Sequence, residues 1–161
     1  MGVEPFRNGP IEDIVWRPLK RFDDKRGWLC ELFRSDDIGD AFRPEMGYLS
    51  LSWAGVARGP HEHVEQADLF CFLGPGDFKV YLWDNRPHSP TYWHQQAQVI
   101  GSEQPTALII PPGIVHAYKN VSTQPGLVYN FPNQLYKGKG RTQAVDEIRH
   151  EDDPNTVFVL D

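Results

Sequence analysis

Several common protein classes are excluded by what this sequence lacks. No run approaches the roughly 18 apolar residues that a membrane helix needs, so no membrane segment is expected. Cysteine is scarce: only Cys30 and Cys71 occur, each within an apolar stretch. Two such residues read as buried thiols, not as a disulfide framework. Positive charge is in deficit, with 16 Lys and Arg against 22 Asp and Glu and a net charge of −6. That excludes a basic nucleic-acid footprint, although a local basic pocket for a phosphate-bearing ligand remains open. There is no internal repeat, low-complexity tract or linker. The opening MGVEPFRNGPIEDIVW mixes charge and proline too early to resemble a secretory signal, so a cytoplasmic location is expected. Long helical periodicity is missing too.

What is present is a chain of 161 residues, 40% hydrophobic and 24% charged, suited to one domain over residues 1–161. Fourteen glycines and fourteen prolines punctuate short apolar segments. IVWRPLKRF, WLCELFR, YLSLSW, ADLFCFLG, FKVYLWD, HQQAQVIG, ALIIPPG, VHAYKNV and GLVYNFP each read as a strand, and Trp28, Cys30 and Leu32 fall on one face of the second. Residues 35–46 are polar and broken by Gly39 and Pro44, which fits a loop or helical turn; one short helix is expected around Thr142–Arg149. Strands spaced about 8 to 12 residues apart predict an all-β sandwich or barrel, and a jelly roll manages its edges best. Trp28, Trp53, Trp83 and Trp93 read as core or rim.

Three histidines fall where the strand pattern points them inward. His61 and His63 are two apart, so an extended segment projects both to one face. His116 follows the PPG turn. H-x-H, then Asp68, then the run Pro111, Gly113, His116 and Asn120 resembles the two motifs of the cupin superfamily. That implies a cupin-type jelly-roll β-barrel with few short helices. The constellation has two chemical readings. His61, His63, Asp68 and His116 offer N and O ligands to a divalent metal, or they are hydrogen-bonding and proton-transfer groups working without one.

Reading outward from His61, five blocks in register resemble the dTDP-4-dehydrorhamnose 3,5-epimerase family, cupin-type jelly rolls that work without metal. They are DDKRGWLCELF, GVARGPH, VYLWDNRPHSPTY, LIIPPGIVHAY, and LVYNFPNQLY followed by IRHEDDP. The resemblance implies a nucleotide-sugar substrate, no cofactor and a homodimer. Epimerisation beside a ketone needs a base, an enolate stabiliser and an acid on the opposite face. By position the base is His61, oriented by Asp153, and the acid is Tyr129. Tyr136 stacks on the ligand. Arg58 and Arg26 hold the pyrophosphate, Arg26 coming from a swapped strand of the partner. Glu31, His63, Asp68, Asp84 and His116 complete the binding set.

The family pattern is broken at three places. A pocket lysine becomes Asp68, which would repel an enolate by a few kcal/mol at an effective dielectric near 20. His63 replaces an aromatic residue, and Met46 and Tyr48 replace polar residues. RGPHEH also resembles the metal-free sugar-nucleotide 3,4-ketoisomerases, and a sugar-binding relative without catalysis is a further alternative. KGKGR (Lys137 to Arg141) reads as a solvated loop and His150 as structural. His88 and His94 receive no role.

Overall fold

The alternation of side chains along each strand divides the molecule into layers. A computed structural model describes residues 6–40 and 42–161. A six-stranded sheet has the order β1 (Arg7–Asn8), β9 (His94–Gly101), β8 (Asp77–Asp84), β11 (Ile114–Asn120), β6 (Ala57–Glu62), β13 (Ile148–Arg149). A five-stranded sheet has the order β2 (Val15–Pro18), β10 (Thr106–Ile110), β7 (Asp68–Phe72), β12 (Gly126–Asn130), β5 (Tyr48–Ser52). A hairpin of β3 (Arg21–Asp24) and β4 (Gly27–Cys30) stands apart. Pairing is antiparallel except between β1 and β9. The two sheets form the jelly roll expected from strand spacing.

Each central strand is apolar on both faces because both faces are covered. On β7, Phe70 and Phe72 enter the space between the sheets, where they meet Phe78, Val80 and Leu82 of β8, Leu108 and Val128. Leu69 and Cys71 point the other way, into an outer layer with Phe42, Ala107 and the half-buried Leu32 and Tyr129. Tyr81, Trp83, Val115 and Ala117 on the back of the large sheet are covered by Phe158. Each fully buried side chain such as Phe72 or Leu108 contributes about 1.5–3 kcal/mol through burial.

The interior core fills one end of the barrel only. At the other end the sheets splay, and residues 134–151 run across the opening as a strap. The helix expected around Thr142–Arg149 does not form. Ile148 and Arg149 instead pair with Glu62 and His61 as an edge strand, and a 3-10 turn follows at His150–Asp152. The ladder with β6 overrides the weak helical preference of the segment. Residues 35–37 form a turn, as expected, while Ala41 lies outside the described residues, as do residues 1–5. Both cysteines are free thiols, Cys71 buried and Cys30 half-buried. Trp83 is core, whereas Trp28 and Trp53 are exposed. No helix among the described residues is long and apolar enough to cross a membrane.

Candidate active site

The open end of the barrel encloses a cavity of about 990 Å³. One wall is β6 with β11, the facing wall is β5 and β7, and the strap closes the side. Gly59 on β6 makes room for the backbone to turn: its φ is +90°, and a Cβ there would lie 2.6 Å from the His116 carbonyl oxygen. Only glycine adopts that conformation without cost. Beyond it His61 and His63 face the cavity, while Glu62 between them points behind the sheet, where its carboxylate meets His150 Nε2 at 2.8 Å and Asn85 Nδ2 at 3.0 Å. Alternation along an extended segment thus sorts the two site histidines from a buried structural pair.

His61 is held between two carboxylates of the strap. Its Nε2 lies 2.9 Å from Glu151 Oε1 and its Nδ1 lies 3.6 Å from Glu147 Oε1. Arg149 spans both, 3.1 Å from Glu151 and 3.7 Å from Glu147. The strap itself is clamped by Asp146, whose carboxylate accepts the backbone N–H groups of Val64, Glu65 and Gln66, each at 2.8 Å. Burial opposes the charge on Asp146, but these three donors hold its pKa below the usual carboxylate range.

The floor is a compact polar cluster. Asp68, 1% exposed, accepts Gln66 Nε2 and Asn130 Nδ2 on Oδ1, both at 3.0 Å. Its Oδ2 lies 3.1 Å from His63 Nε2 and 3.9 Å from His116 Nε2 without an aligned hydrogen bond to either. His63 Nδ1 contacts the Asp146 carbonyl oxygen, and His116 Nδ1 lies 3.1 Å from the Ile114 carbonyl oxygen. Burial works against charge on His63, but the Asp68 carboxylate outweighs it and raises the pKa to about 9. Burial dominates at His116, whose pKa falls to about 4 and whose ring is neutral. Asp68 is anionic: its burial is offset by His63, and its pKa lies below the ordinary value. One ligand atom each from His63, Asp68 and His116 lies within 4.8 Å of the others, the set that offers itself to a metal among the described residues. His61 is outside it, its nitrogens turned to Glu147 and Glu151.

Of the residues singled out in the sequence, His61, Arg58, His63, Asp68, His116 and Tyr136 line the cavity. Five others do not. Asp153 is exposed and accepts the Asn155 N–H at 2.9 Å, capping its own turn; Glu151 and Glu147 stand where it was expected. Tyr129 packs in the outer layer opposite Cys71, because Val128 and Asn130 take the inward positions of β12. Asp84 is fully buried away from the cavity, binding Arg86, Ser89 and Thr91. Arg26 and Glu31 are exposed, paired with Asp24 and Arg34. The sequence reading missed Glu147, Glu151, Gln66, Asn130 and Tyr48. One signal was available: Glu147, Arg149 and Glu151 alternate, as on an extended segment. Lys137 and Arg141, expected in a solvated loop, line the rim.

Taking a proton from beside a carbonyl and returning one to the other face requires groups on opposed walls. A jelly roll with a carboxylate-flanked histidine on one sheet, facing hydroxyl and amide groups on the other, defines the class of cupin-type sugar-nucleotide epimerases. The comparisons with known proteins narrow that class. The family model for dTDP-4-dehydrorhamnose 3,5-epimerase matches residues 8–154, and the chain belongs to that family. It is 37% identical over 127 residues to the probable low-salt glycan biosynthesis epimerase Agl13 of Haloferax volcanii, covering 78% of this chain and 81% of that relative. A dTDP sugar isomerase from Desulfovibrio desulfuricans G20 superposes with a TM-score of 0.79 at 21% identity, covering 92% and 91% of the two chains. The dTDP-6-deoxy-D-glucose-3,5-epimerase from Legionella pneumophila Philadelphia 1, in complex with dTDP-4-keto-L-rhamnose, gives 0.74 at 22% identity, covering 89% and 76%. The chain is an epimerase of nucleotide-linked deoxysugars.

Proposed function

We propose that the chain inverts carbon next to the ketone of a nucleotide-linked 4-keto-6-deoxy sugar, with His61 as the base. The observation that carries this reading is the placement of His61, open to the cavity with Glu151 2.9 Å from Nε2. A C–H beside a ketone is a weak acid, so its removal needs a base held in place and an imidazolium that is stabilised once formed. Glu151 and Glu147 supply both, the part that family resemblance gives to Asp153. Arg58, Lys137 and Arg141 on the rim offer planar and point cations to the diphosphate. The sugar nucleotide bound by the Legionella enzyme supports this ligand class.

The active form in this reading is a homodimer in which Arg26 reaches the partner's cavity. The β3–β4 hairpin supports it by exposing Phe22, Trp28 and Leu29, none of which lines this chain's own cavity. A single species of monomer mass in sedimentation velocity overturns the dimer.

Deuterium exchange at C3 and C5 of dTDP-, UDP-, GDP- and CDP-4-keto sugars tests the reaction. Exchange is expected with one of them, and His61→Ala is expected to lower its rate by at least about 10², the usual share of a general base. No exchange with any of the four overturns the reading. A second reading, metal-dependent chemistry, rests on the unpartnered Asp68 Oδ2 beside His63 and His116. Two nitrogens and one carboxylate oxygen suit zinc, iron or manganese. Elemental analysis of protein purified without a histidine tag separates the two: stoichiometric metal favours the second, none favours the first.

A further inference from the structure

Inversion requires the new proton to arrive from the side of the sugar ring that His61 does not reach. His61 stands on β6 of the large sheet, so the donor belongs on the five-stranded sheet opposite. Tyr129 is on that sheet but faces its outer layer. Three other tyrosines line the cavity: Tyr48, Tyr118 and Tyr136. Tyr136 follows β12, with its N–H on Met46 Sδ at 3.2 Å; its side chain is exposed under Lys137, and no group among the described residues fixes its hydroxyl. Tyr118 lies on β11, on the same sheet as His61; it is 7% exposed and shares its hydroxyl with Ser50 at 3.2 Å.

Tyr48 differs from both. It is on β5, directly paired with Asn130 of β12, on the wall facing His61. Its hydroxyl oxygen accepts Asn130 Nδ2 at 2.7 Å, and the same amide nitrogen donates to Asp68 Oδ1 at 3.0 Å. The Asn130 amide therefore spends its two hydrogens on two acceptors. Because Tyr48 receives that hydrogen bond, its own O–H is directed away from Asn130. Tyr48 is 47% exposed and lines the cavity. The buried carboxylate of Asp68 fixes the amide, and the amide fixes the hydroxyl.

We propose that Tyr48 is the proton donor of the epimerisation, oriented through Asn130 by Asp68 and delivering to the face opposite His61. The proposal rests on the reading of His61 as base. In the first step a C–H bond beside the ketone breaks, its proton passes to His61, and the electron pair moves into the enolate. In the second the enolate collapses to the ketone as its carbon takes the Tyr48 hydroxyl proton on the other face. The phenolate then regains a proton from water and His61 releases its own, so nothing is oxidised or consumed. Burial raises the Tyr48 pKa to about 12; the Asn130 hydrogen bond opposes this and the Asp68 charge adds to it. The donor is thus loaded at neutral pH.

The test compares wild type with Tyr48→Phe in deuterium oxide, following exchange and inversion separately on the sugar nucleotide that wild type accepts. Removing one hydroxyl from a half-exposed ring leaves the fold intact, which the melting temperature checks. We expect Tyr48→Phe to keep exchange within about threefold of wild type while inverted product falls by at least about 10². Exchange without inversion separates a proton donor from a merely structural tyrosine. Tyr129→Phe is expected to keep both rates. Inversion by Tyr48→Phe at the wild-type rate overturns the proposal, as does equal loss of exchange and inversion. Failure of wild type itself to exchange overturns the His61 reading and this one with it, and is visible before any variant is made.

Discussion

Asp68 and Asp84 are both sealed from solvent, at 1% and 0% exposure, and both are anionic, yet their surroundings are opposite. Asp84 is saturated. It accepts Arg86 Nε and NH2 at 2.9 Å each, Ser89 Oγ and Thr91 Oγ1 at 2.6 Å each, and the Arg86 backbone N–H at 3.1 Å. Arg86 continues to Asp13 at 2.8 Å and to the Glu12 carbonyl at 2.9 Å, so one carboxylate fastens the 85–91 loop and the N-terminal segment to β8. Asp68 has one oxygen satisfied by two amides, while the other meets the charged His63 at 3.1 Å and the neutral His116 at 3.9 Å on the cavity floor. A buried carboxylate balanced by one imidazolium is held less firmly than one saturated by an arginine and two hydroxyls. An ion pair that lines the cavity is placed for chemistry, while the saturated one is a clasp.

The largest effect that can break this contrast is on stability. Asp84→Ala leaves the Arg86 guanidinium half-paired and two hydroxyls unanswered, a loss of about 3–5 kcal/mol expected from removing one partner of a buried pair. Urea denaturation measures it. Exchange and inversion per folded molecule should not change, since Asp84 lies outside the cavity. A folded Asp84→Ala protein with activity reduced tenfold or more makes Asp84 part of the site, as the sequence reading had it.

That misassignment shows what the sequence could and could not convey. The block VYLWDNRPHSPTY is legible as a unit, but its residue types suit a phosphate-binding loop and an Asp–Arg clasp equally well. The strands were legible because short apolar segments punctuated by glycine and proline are a local property. Which parity faces inward is not local: a shift of one residue exchanges the two faces. The resemblance points to Tyr129 in the cavity, but Val128 and Asn130 occupy the inward positions. His61, His63 and His116 were legible because H-x-H and the PPG turn fix their parity relative to one another. The strap was not, since its pairing with β6 spans more than 80 residues of sequence and only the alternation of Glu147, Arg149 and Glu151 hints at an extended segment. So Glu147 lies inside the helix expected over Thr142–Arg149 and Glu151 just beyond it, and the resemblance points to Asp153 instead.

A middle-sized effect sharpens the same contrast through pH. Burial opposes the charge of Asp84, but Arg86, Ser89 and Thr91 together bring its pKa from the ordinary 3.8 down to about 2. A carboxylate with a folded pKa below its unfolded one binds more protons when unfolded. Its stabilisation is fully present above about pH 5 and is lost as pH falls toward 2. The difference amounts to about 2 kcal/mol. The gap in unfolding free energy between wild type and Asp84→Ala should therefore narrow by that amount from pH 6 to pH 2. A gap that stays constant over this range means that Arg86 and its neighbours do not hold the proton off Asp84.

The smallest stability effect belongs to Asp68, and it is the one that decides what the floor is for. Asp68→Asn removes a buried charge whose desolvation already opposes its attraction to His63, so the two losses largely cancel. The carbonyl of the new side chain can keep the bonds from Gln66 and Asn130, and His63, no longer held charged by a carboxylate, can accept the new amide N–H on Nε2. Unfolding free energy is expected to stay within about 1 kcal/mol of wild type. Inversion is nonetheless expected to fall at least about tenfold, since loss of the carboxylate takes the charge from His63, the cation at the cavity floor where an enolate would form. A variant destabilised like Asp84→Ala, with full activity per folded molecule, makes Asp68 a second clasp and ends the contrast. A stable variant that exchanges and inverts at wild-type rates shows that the charged pair of Asp68 and His63 is not needed for turnover.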